Sequence, residues 1–499
     1  MRGEASASSL IRSVLQLQTE PPSGAALRGL RTARNVVVTP AGPHAPEGLA
    51  QSVVAKLGEV GVNARVDDAP GDQDDGLILL AGVGADGGYA QSQALHARAF
   101  EMAKTLAPRL QQSDGFLVTV QQSGASFGMR DLPADQAWLG GLTGLVKTAA
   151  REWPQAGLKA LDVDTAGASA EDLAQRIVSE LLQGGDEREV ALPAAGERLA
   201  LRALEARQEN PGAFPLQPHD FLVVSGGARG ITPDILAALT RHTPLRLLLL
   251  GRTPVEEEPA ALAQAGDETA LKRALFAQAG ARGETVTPQQ IGAQTASILA
   301  QRQIRATLES LRAAGAEARY VAADIADVAA VGAALDAARA QWGPVAGVIH
   351  AAGVLADKRI ADKTLDQFNR VFATKVDGLH TLLTVTQNDP LKVICLFSSV
   401  AAREGNPGQC DYAMANEVLN KVAQAEAQRR GGACVVKSIN WGPWDGGMVD
   451  AGLRRHFHSQ GIGLIPLTEG ARFLVDELRC SQGDAVEVVV GARGTDAHD

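Results

Sequence analysis

The sequence predicts an α/β protein with two doubly wound parallel-sheet subdomains, and three observations lead to this prediction. The chain has 499 residues, 45% hydrophobic and 21% charged, which is typical of roughly two to four globular domains. Short apolar runs alternate with helix-like stretches throughout, as expected of sheets covered by helices. A proline-bearing junction at 209–220 divides this rhythm in two. Disordered and collagen-like classes are excluded, and no apolar run approaches the roughly 18 residues of a membrane helix.

The first half is interpreted as a tail followed by a subdomain. Residues 1–30 are rich in Ser, Gly and Pro and are interpreted as an N-terminal tail or linker, with order beginning near Arg34. The first subdomain covers 31–215. Its predicted strands are Asn35–Thr39, Leu77–Val83, Phe116–Val120 and Arg198–Leu204, and its predicted helices include Gln91–Leu110 and Leu139–Glu152.

The second subdomain, residues 216–495, has stronger strand signals. The predicted strands are Phe221–Ser225, Leu245–Leu250, Ala318–Ala322, Gly347–His350, Val393–Ser398, Val435–Asn440 and Val486–Val490. Residues 253–316 are too many for an ordinary crossover between the second and third strands, so we expect a helical insertion there. Within it, Thr287 and Pro288 are the predicted N-cap and first residue of a long helix that ends near Gly315.

The two halves resemble each other, but only one keeps a chemical motif. The segment FLVTVQQSGA at 116–125 parallels VICLFSSVAA at 393–402. Ser123 thus corresponds to Ser399, yet Gln136 stands where the second half has Tyr412. The opening strand of the first half also runs into PAGP instead of a glycine turn. We therefore interpret both subdomains as Rossmann-like, the first degenerate and structural and the second catalytic.

Composition narrows the cellular setting and the partners. The four cysteines (Cys395, Cys410, Cys434 and Cys480) lack metal-ligand spacing, so we predict neither a disulfide framework nor a metal site. The N-terminus has no apolar stretch typical of a secretory signal, which favours a soluble, cytoplasmic protein. The net charge of −10 is not arranged in long blocks, which argues against nucleic acid as a partner. We expect no membrane partner.

A glycine-rich turn directly follows the strand FLVVS. It consists of Gly226, Gly227, Ala228, Arg229, Gly230 and Ile231. Residues without Cβ let the backbone approach a pyrophosphate at a helix N-terminus, although a plain strand-to-helix turn is the alternative. The next strand ends in Gly251 and Arg252. An Arg there suits a 2′-phosphate and hence NADPH, or else is merely solvated. Asp324 is predicted to contact the adenine or to cap a helix.

Four residues form the candidate catalytic group. Lys375, Ser399, Tyr412 and Asn416 follow the glycine turn at spacings of 24, 13 and 4 residues. Carbonyl reduction needs an acid that protonates the oxygen, and tyrosine is a sluggish acid unless its pKa is lowered. A nearby ammonium lowers that pKa, and a serine hydroxyl positions the carbonyl. Each residue alone has an ordinary structural explanation, but jointly they favour catalysis.

These residues resemble a known family. The second subdomain is similar to short-chain dehydrogenase/reductases, and more narrowly to the ketoreductase (KR) domains of type I polyketide and polyunsaturated fatty acid synthases. The matching stretches are FATKVDGLH around the lysine, HAAGVLAD at 350–357, LFSSVAAREGNPGQCDYAMAN at 396–416 and NWGPWDGGM at 440–448. The YAMAN motif, with its lysine placed upstream, is typical of synthase ketoreductases. The first half resembles their structural subdomain, and the insertion resembles that of polyunsaturated fatty acid synthases.

The resemblance implies a role for each matching residue. Tyr412 would donate a proton, Lys375 would lower the pKa of that tyrosine and hold the nicotinamide ribose, Ser399 would orient the keto oxygen, and Asn416 would support a relay water. Further cofactor contacts are implied for Ile325, Ala352, Gly353, Phe397, Gly442 and Pro443, and substrate or stereocontrol contacts for Leu355, Asp357, Trp444 and Met448. Asp357 with Glu404 implies a 3R alcohol.

The implied reaction is NADPH-dependent reduction of a β-ketoacyl thioester on an acyl carrier protein. The other domains of the synthase are implied as further partners. The segment after Gly447 is a predicted lid helix, and Arg454, Arg455 and His456 are candidates for contact with the acidic carrier, or else form an ordinary solvated face. Two other functions stay open: a catalytically silent NADPH-binding scaffold or sensor, and a reductase of free small carbonyls.

Overall fold

The computed structural model describes residues 10–208, 212–479 and 484–493. The elements of the first half are β1 (Leu10–Thr19), β2 (Val36–Val38), α1 (Leu49–Glu59), β3 (Ala64–Val66), β4 (Gly76–Gly82), α2 (Tyr89–Leu110), β5 (Phe116–Gln121), α3 (Leu142–Glu152), β6 (Gly157–Val163), α4 (Ala170–Gln183), β7 (Glu189–Leu192) and β8 (Leu199–Glu205), with a 3₁₀ turn at Gln136–Leu139.

The second half contains the longer helices. Its elements are β9 (Phe221–Ser225), α5 (Thr232–His242), β10 (Arg246–Gly251), α6 (Ala260–Ala263), α7 (Glu268–Ala281), α8 (Pro288–Ala313), β11 (Glu317–Ala322), α9 (Val328–Trp342), β12 (Val345–His350), α10 (Leu365–Val385), β13 (Val393–Ser399), α11 (Val400–Glu404), α12 (Cys410–Arg430), β14 (Val435–Trp441), α13 (Ala451–Ser459), α14 (Leu467–Glu477) and β15 (Glu487–Ala492). No helix in the described ranges is both long and apolar enough to cross a lipid bilayer.

The described strands join into one sheet of fifteen. In the second half the order is β11-β10-β9-β12-β13-β14-β15 with every pair parallel, and its first six strands follow the doubly wound dinucleotide-binding order. In the first half β3, β2, β4, β5, β6 and β7 are parallel, and β8 runs antiparallel to β7. The predicted fold class of two parallel-sheet subdomains is confirmed.

Strand β1 joins the two halves and corrects the prediction of a tail over 1–30. It pairs antiparallel with β15, from Leu10 opposite Ala492, and with β8, from Ser13 opposite Glu205. The end of β1 reads VLQLQT, which has the two-residue period of a strand. The Ser, Gly and Pro residues around it hide that short pattern in a composition average. The first nine residues of the predicted tail lie outside the described residues.

Helices of the two halves share one core. Phe100 of α2 stacks on Phe368 of α10 with ring centroids 4.9 Å apart. Helix α3 approaches α12 closely, since a Cβ on Gly144 would lie 2.6 Å from the Met414 nitrogen. The first half therefore packs directly against the helix turn that follows Tyr412.

Buried charges add a second connection between the halves. Lys147 of α3 contacts Glu189 of β7 at 3.1 Å and also contacts Glu417 of α12. Arg403 of α11 contacts both glutamates, at 2.8 Å and 2.7 Å. All four side chains are buried, and buried charges are tolerated only when they are paired in this way. The network fixes α11 and α12 relative to the first half.

The insertion forms a helical layer of its own. Helix α8 starts at Pro288 with Thr287 as its N-cap, as predicted, and Gln290 completes a capping box. A small core centred on Leu271 and Leu275 packs α7 against α8. Helix α8 then returns to the sheet and packs against α5. The insertion is therefore built onto the fold and not appended to it.

In the first half, the loops that follow β2 and β4 pack against each other and leave no open cleft between them. Its loop after β2 is bonded to the loop after β4, because the Gly42 N–H donates to the Val83 oxygen at 2.8 Å. A Cβ on Gly42 would lie 2.3 Å from the Gly84 oxygen. Ser123 accepts a hydrogen bond from Gln121 at 2.8 Å instead of facing a cleft. These contacts agree with the interpretation of this half as a degenerate copy.

Candidate active site

A cleft of about 1440 Å³ lies at the carboxyl ends of strands β9 to β14, the position where open parallel sheets bind ligands. The predicted site residues that line it are Gly226, Ala228, Arg229, Gly230, Ile231, Gly251, Arg252, Asp324, Ile325, Ala352, Gly353, Leu355, Asp357, Lys375, Phe397, Ser399, Tyr412, Gly442, Pro443, Trp444 and Met448. Gly227 and Asn416 do not line it. Gly227 faces the side chains of Val224 and Leu249, and Asn416 is fully buried.

The glycine turn sits between β9 and the start of α5. Gly226 has φ of +69°, and a Cβ there would lie 2.7 Å from the Ala352 nitrogen. Gly230 has φ of +75° with no heavy atom within 4 Å of where a Cβ would be. The first glycine thus permits a close backbone approach and the second leaves open space beside a helix N-terminus. Such an arrangement suits a phosphate.

The structure bears on one of the two roles predicted for Asp324, that of a helix cap. Its Oδ1 accepts a hydrogen bond from the Ala326 N–H at 3.0 Å, whereas the side chain of Asp327 caps α9. The alternative in which Asp324 caps a helix is therefore wrong, and Asp324 lines the cleft from a turn. Arg252 lines the same side at the end of β10.

Lys375 lies on α10 beneath the tyrosine. Its Nζ donates to the Phe397 oxygen at 2.7 Å and lies 5.3 Å from the centre of the Tyr412 ring. Only 2% of the residue is exposed. Burial lowers the pKa of Lys375 from 10.5 to about 7, because the interior disfavours the ammonium form.

Tyr412 and Asn416 lie one turn apart on α12. The Asn416 Nδ2 donates to the Tyr412 backbone oxygen at 2.9 Å, and its buried Oδ1 has no partner within the described residues. Burial raises the pKa of Tyr412 above its ordinary 10, and the nearby Asn416 and Ser399 side chains oppose this only in part. The expectation of a lowered tyrosine pKa is therefore wrong, because loss of hydration outweighs the polar neighbours. At neutral pH the side chain is a phenol, the form that can donate a proton.

Ser399 ends β13 and starts α11. Its Oγ accepts a hydrogen bond from the Ala401 N–H at 3.2 Å, so it is the N-cap of α11. The cap fixes the direction of the serine side chain at the edge of the cleft.

A buried histidine that the sequence analysis did not single out supports the lysine. His350 Nε2 lies 2.8 Å from the Lys375 backbone oxygen, and its Nδ1 lies 2.6 Å from the Ser225 Oγ. A carbonyl only accepts, so Nε2 carries the proton and Nδ1 accepts from the serine hydroxyl. Burial lowers the pKa of His350 to about 3, so the ring is neutral. The network fixes the backbone of the lysine and the turn at Ala352, whose N–H donates to Ser225 Oγ at 3.3 Å.

The residues predicted to contact the substrate differ in exposure. Asp357 is exposed and accepts a hydrogen bond from Gln409 Nε2 at 3.1 Å. Trp444 is buried against Trp441 with ring centroids 4.8 Å apart, while Met448 is 54% exposed. Helix α13 forms at the position of the predicted lid, and its Leu453 and Phe457 border the cleft.

Other cleft residues carry no sequence signal that points to this site. They include Arg151 of the first half, Gln303 and Ile304 of α8, and Tyr320 of β11. Helix α8 reaches the glycine turn through Thr307, whose Oγ1 donates to the Ala228 oxygen at 2.9 Å. The insertion therefore forms part of the cleft wall.

The family model and the related proteins that the chain resembles point to the same family. Residues 221–446 match the family model of the KR domain. The chain is 39% identical over 370 residues to a polyunsaturated fatty acid synthase of Thraustochytrium sp., covering 72% of this chain and 13% of that protein. It is 33% identical over 272 residues to erythronolide synthase EryA2 of Saccharopolyspora erythraea, covering 54% of this chain and 7% of that protein.

The fold agrees over almost the whole chain. A ketoreductase domain from the bacillaene assembly line superposes with a TM-score of 0.67 at 18% identity, covering 97% of each chain. The chain spans only a small part of the curated relatives it matches. The family match, the strand order and the site geometry agree: residues 221–446 form a ketoreductase (KR) domain, similar to those of polyketide and polyunsaturated fatty acid synthases.

Proposed function

We propose that this chain uses NADPH to reduce a β-ketoacyl thioester, carried on an acyl carrier protein, to the β-hydroxyacyl thioester. The observation that carries the proposal is the grouping of Tyr412, a buried Lys375 and the serine cap Ser399 in the cleft. A ligand-binding scaffold needs the glycine turn, but it has no need of a positioned proton donor.

The residues at the other end of the cleft fit NADPH. The open space at Gly230 and the N-terminus of α5 suit its pyrophosphate, and Arg252 offers a cation for the 2′-phosphate. When bound, NADPH supplies the hydride for the keto carbon. Asp324 is assigned to the adenine and Lys375 to the nicotinamide ribose, as the family resemblance implies.

The chain's own groups handle the oxygen and its proton. The Ser399 hydroxyl orients the keto oxygen, and the phenol of Tyr412 donates its proton to that oxygen as it becomes negative. Lys375 lies close enough to the ring to stabilise the phenolate that remains. The unpaired Asn416 Oδ1 offers an acceptor to a water that returns a proton toward the site.

The stereochemical proposal is a 3R alcohol. It is supported by Asp357 at the cleft edge and by Glu404 where the alternative product class carries tryptophan. Chiral chromatography of the product of a simple β-ketoacyl thioester is the measurement, and a predominantly 3S product would contradict it.

The carrier protein is proposed to approach along α13. Arg455 and His456 are exposed, and Arg454 is exposed while bonded to Asp445 at 2.7 Å. An Arg454→Ala and Arg455→Ala double variant should raise KM for a carrier-bound substrate and spare small thioesters. Equal effects on both substrates would refute this contact.

The function is tested by NADPH oxidation with a β-ketoacyl N-acetylcysteamine thioester, for the wild type and Tyr412→Phe. We expect turnover to vanish in the variant while NADPH binding persists. Tyr89→Phe is the matched control, because that ring stacks on His380 outside the cleft. A wild type that binds NADPH but reduces no carbonyl would instead support the scaffold alternative. A wild type that reduces free carbonyls but no thioester would favour the second alternative, a reductase of free small carbonyls.

A further inference from the structure

A buried lysine outside the catalytic group lies next to it. Lys363 precedes α10 and is fully buried. Its Nζ donates to the Ala356 backbone oxygen at 2.6 Å and to Asp411 Oδ2 at 2.7 Å. A buried ammonium is stable only when hydrogen-bond acceptors receive its protons, so these two contacts hold the side chain in position.

The two partners belong to different segments that border the cleft, the loop after β12 and the start of α12. Ala356 lies between Leu355 and Asp357, which both line the substrate side. Asp411 lies in the first turn of α12, and its other oxygen accepts the Tyr412 N–H at 2.9 Å. One ammonium thus connects the loop on the substrate side with the helix turn that carries the proton donor.

Other hydrogen bonds hold the same loop, residues 354–362. Glu152 of the first half accepts the N–H of Ile360 at 2.9 Å and that of Gly408 at 2.8 Å. The Lys358 N–H donates to the Gly408 oxygen at 3.0 Å. These bonds fix the loop at Lys358 and Ile360, whereas Lys363 reaches the Ala356 carbonyl between two cleft-lining residues. The side chain of Lys363 is therefore a buried connection between the loop and the catalytic helix, in addition to the exposed bond between Asp357 and Gln409.

We propose that Lys363 is a positioning residue, which through Ala356 and Asp411 fixes the substrate-side loop against α12 and so sets how the keto group presents itself to Tyr412. This inference rests on the proposed function. A lysine suits the task because its ammonium satisfies a carbonyl and a carboxylate together in a dry interior. A small displacement of a positioning group is enough to change a rate by about a hundredfold.

The first test compares Lys363→Met with Lys358→Met, a lysine on the same loop whose side chain is exposed. For the thioester substrate we expect Lys363→Met to raise KM about tenfold and to lower the ratio of major to minor alcohol several-fold. NADPH affinity should stay within about twofold, since the contacts of Lys363 lie away from the glycine turn. Lys358→Met should match the wild type. A folded Lys363→Met protein with wild-type KM and product ratio would overturn the proposal.

The second test does not depend on the reaction. Hydrogen–deuterium exchange of the amides in 354–362 should be faster in Lys363→Met than in the wild type, with the 226–231 turn unchanged. Unchanged exchange in 354–362 would overturn the proposal even if kinetics changed. If the wild type reduces no thioester, the proposed function fails, and the exchange result still decides whether Lys363 holds the loop.

A second variant covers the case in which Lys363→Met does not fold. Asp411→Asn keeps the shape of the side chain and its acceptor for the Tyr412 N–H while removing the charge. We expect a change of product ratio and of loop exchange in the same direction. Loss of thermal stability alone, with the product ratio and loop exchange of the wild type, would show that the pair is only structural and would overturn the proposal.

Discussion

Replacing Lys375 by methionine should abolish reduction and yet stabilise the protein. Burial lowers the pKa of this lysine from 10.5 to about 7, so the folded state disfavours its ammonium. Each tenfold change in proton affinity is worth about 1.4 kcal/mol, so below pH 7 the penalty on folding is about 5 kcal/mol. Between about pH 7 and pH 10.5 the unfolded chain binds a proton that the folded chain does not, and wild-type stability therefore rises with pH.

The size of the effect follows from what methionine removes. It keeps an unbranched apolar stem but leaves the Phe397 oxygen without its 2.7 Å donor, at a cost of about 1–3 kcal/mol. We therefore expect Lys375→Met to be more stable than the wild type by about 2–3 kcal/mol near pH 6.5. Near pH 9.5 the penalty on the wild type has fallen by about 3 kcal/mol, so the advantage should disappear.

The assay is urea unfolding followed by tryptophan fluorescence at both pH values, with free energies from linear extrapolation. Far-UV circular dichroism and a cooperative unfolding transition check that the variant is folded. Other buried lysines titrate alike in both proteins, so they cancel in the difference. A stability difference that is the same at both pH values would refute the argument that burial lowers the pKa of Lys375.

Three further predictions concern the cofactor end of the cleft and the sheet. Thr307→Val removes the hydroxyl bonded to the Ala228 oxygen and should raise the Kd for NADPH about threefold to tenfold in a fluorescence titration; an unchanged Kd would show that α8 does not shape the turn. Arg252→Ser should lower the kcat/KM preference for NADPH over NADH by about tenfold or more, whereas an equal loss with both cofactors would contradict a 2′-phosphate contact. Deleting residues 1–19 removes β1 and exposes the edges of β8 and β15, so we expect aggregation in light scattering; a monodisperse, active monomer would contradict this role.

Strands with a strong local signal could be predicted from the sequence, and those without one could not. Both boundaries of the strand Phe221–Ser225 are predicted correctly, because its apolar run ends directly at a glycine turn. The run Ala64–Val66 has three residues with two of them exposed, so it offers no burial pattern. Leu10–Thr19 is stabilised by partners about 190 and 480 residues away. Its pairing is a property of the closed sheet and not of its own composition.

For the site, chain spacing predicted which residues meet but not their electrostatics. Parallel strands end at one edge, so motifs after each of them converge, and a spacing of four places Tyr412 and Asn416 on one helix face. Whether the pKa of Tyr412 rises or falls depends on burial, which only tertiary packing decides. The same holds for His350, an apolar-strand residue whose partners come from two other segments.

The position of β1 has a mechanical consequence. Leu10 begins β1 and Ala492 ends β15, and the two residues are paired, so the described chain enters and leaves the fold at one point. A pull applied at these two residues would load the β1–β15 hydrogen bonds one pair at a time, as in unzipping, and not all together as in shear. The same closeness means that a short linker from 493 back to 10 would permit a circular permutant. We expect such a permutant, opened in an exposed loop, to keep the fifteen-stranded sheet.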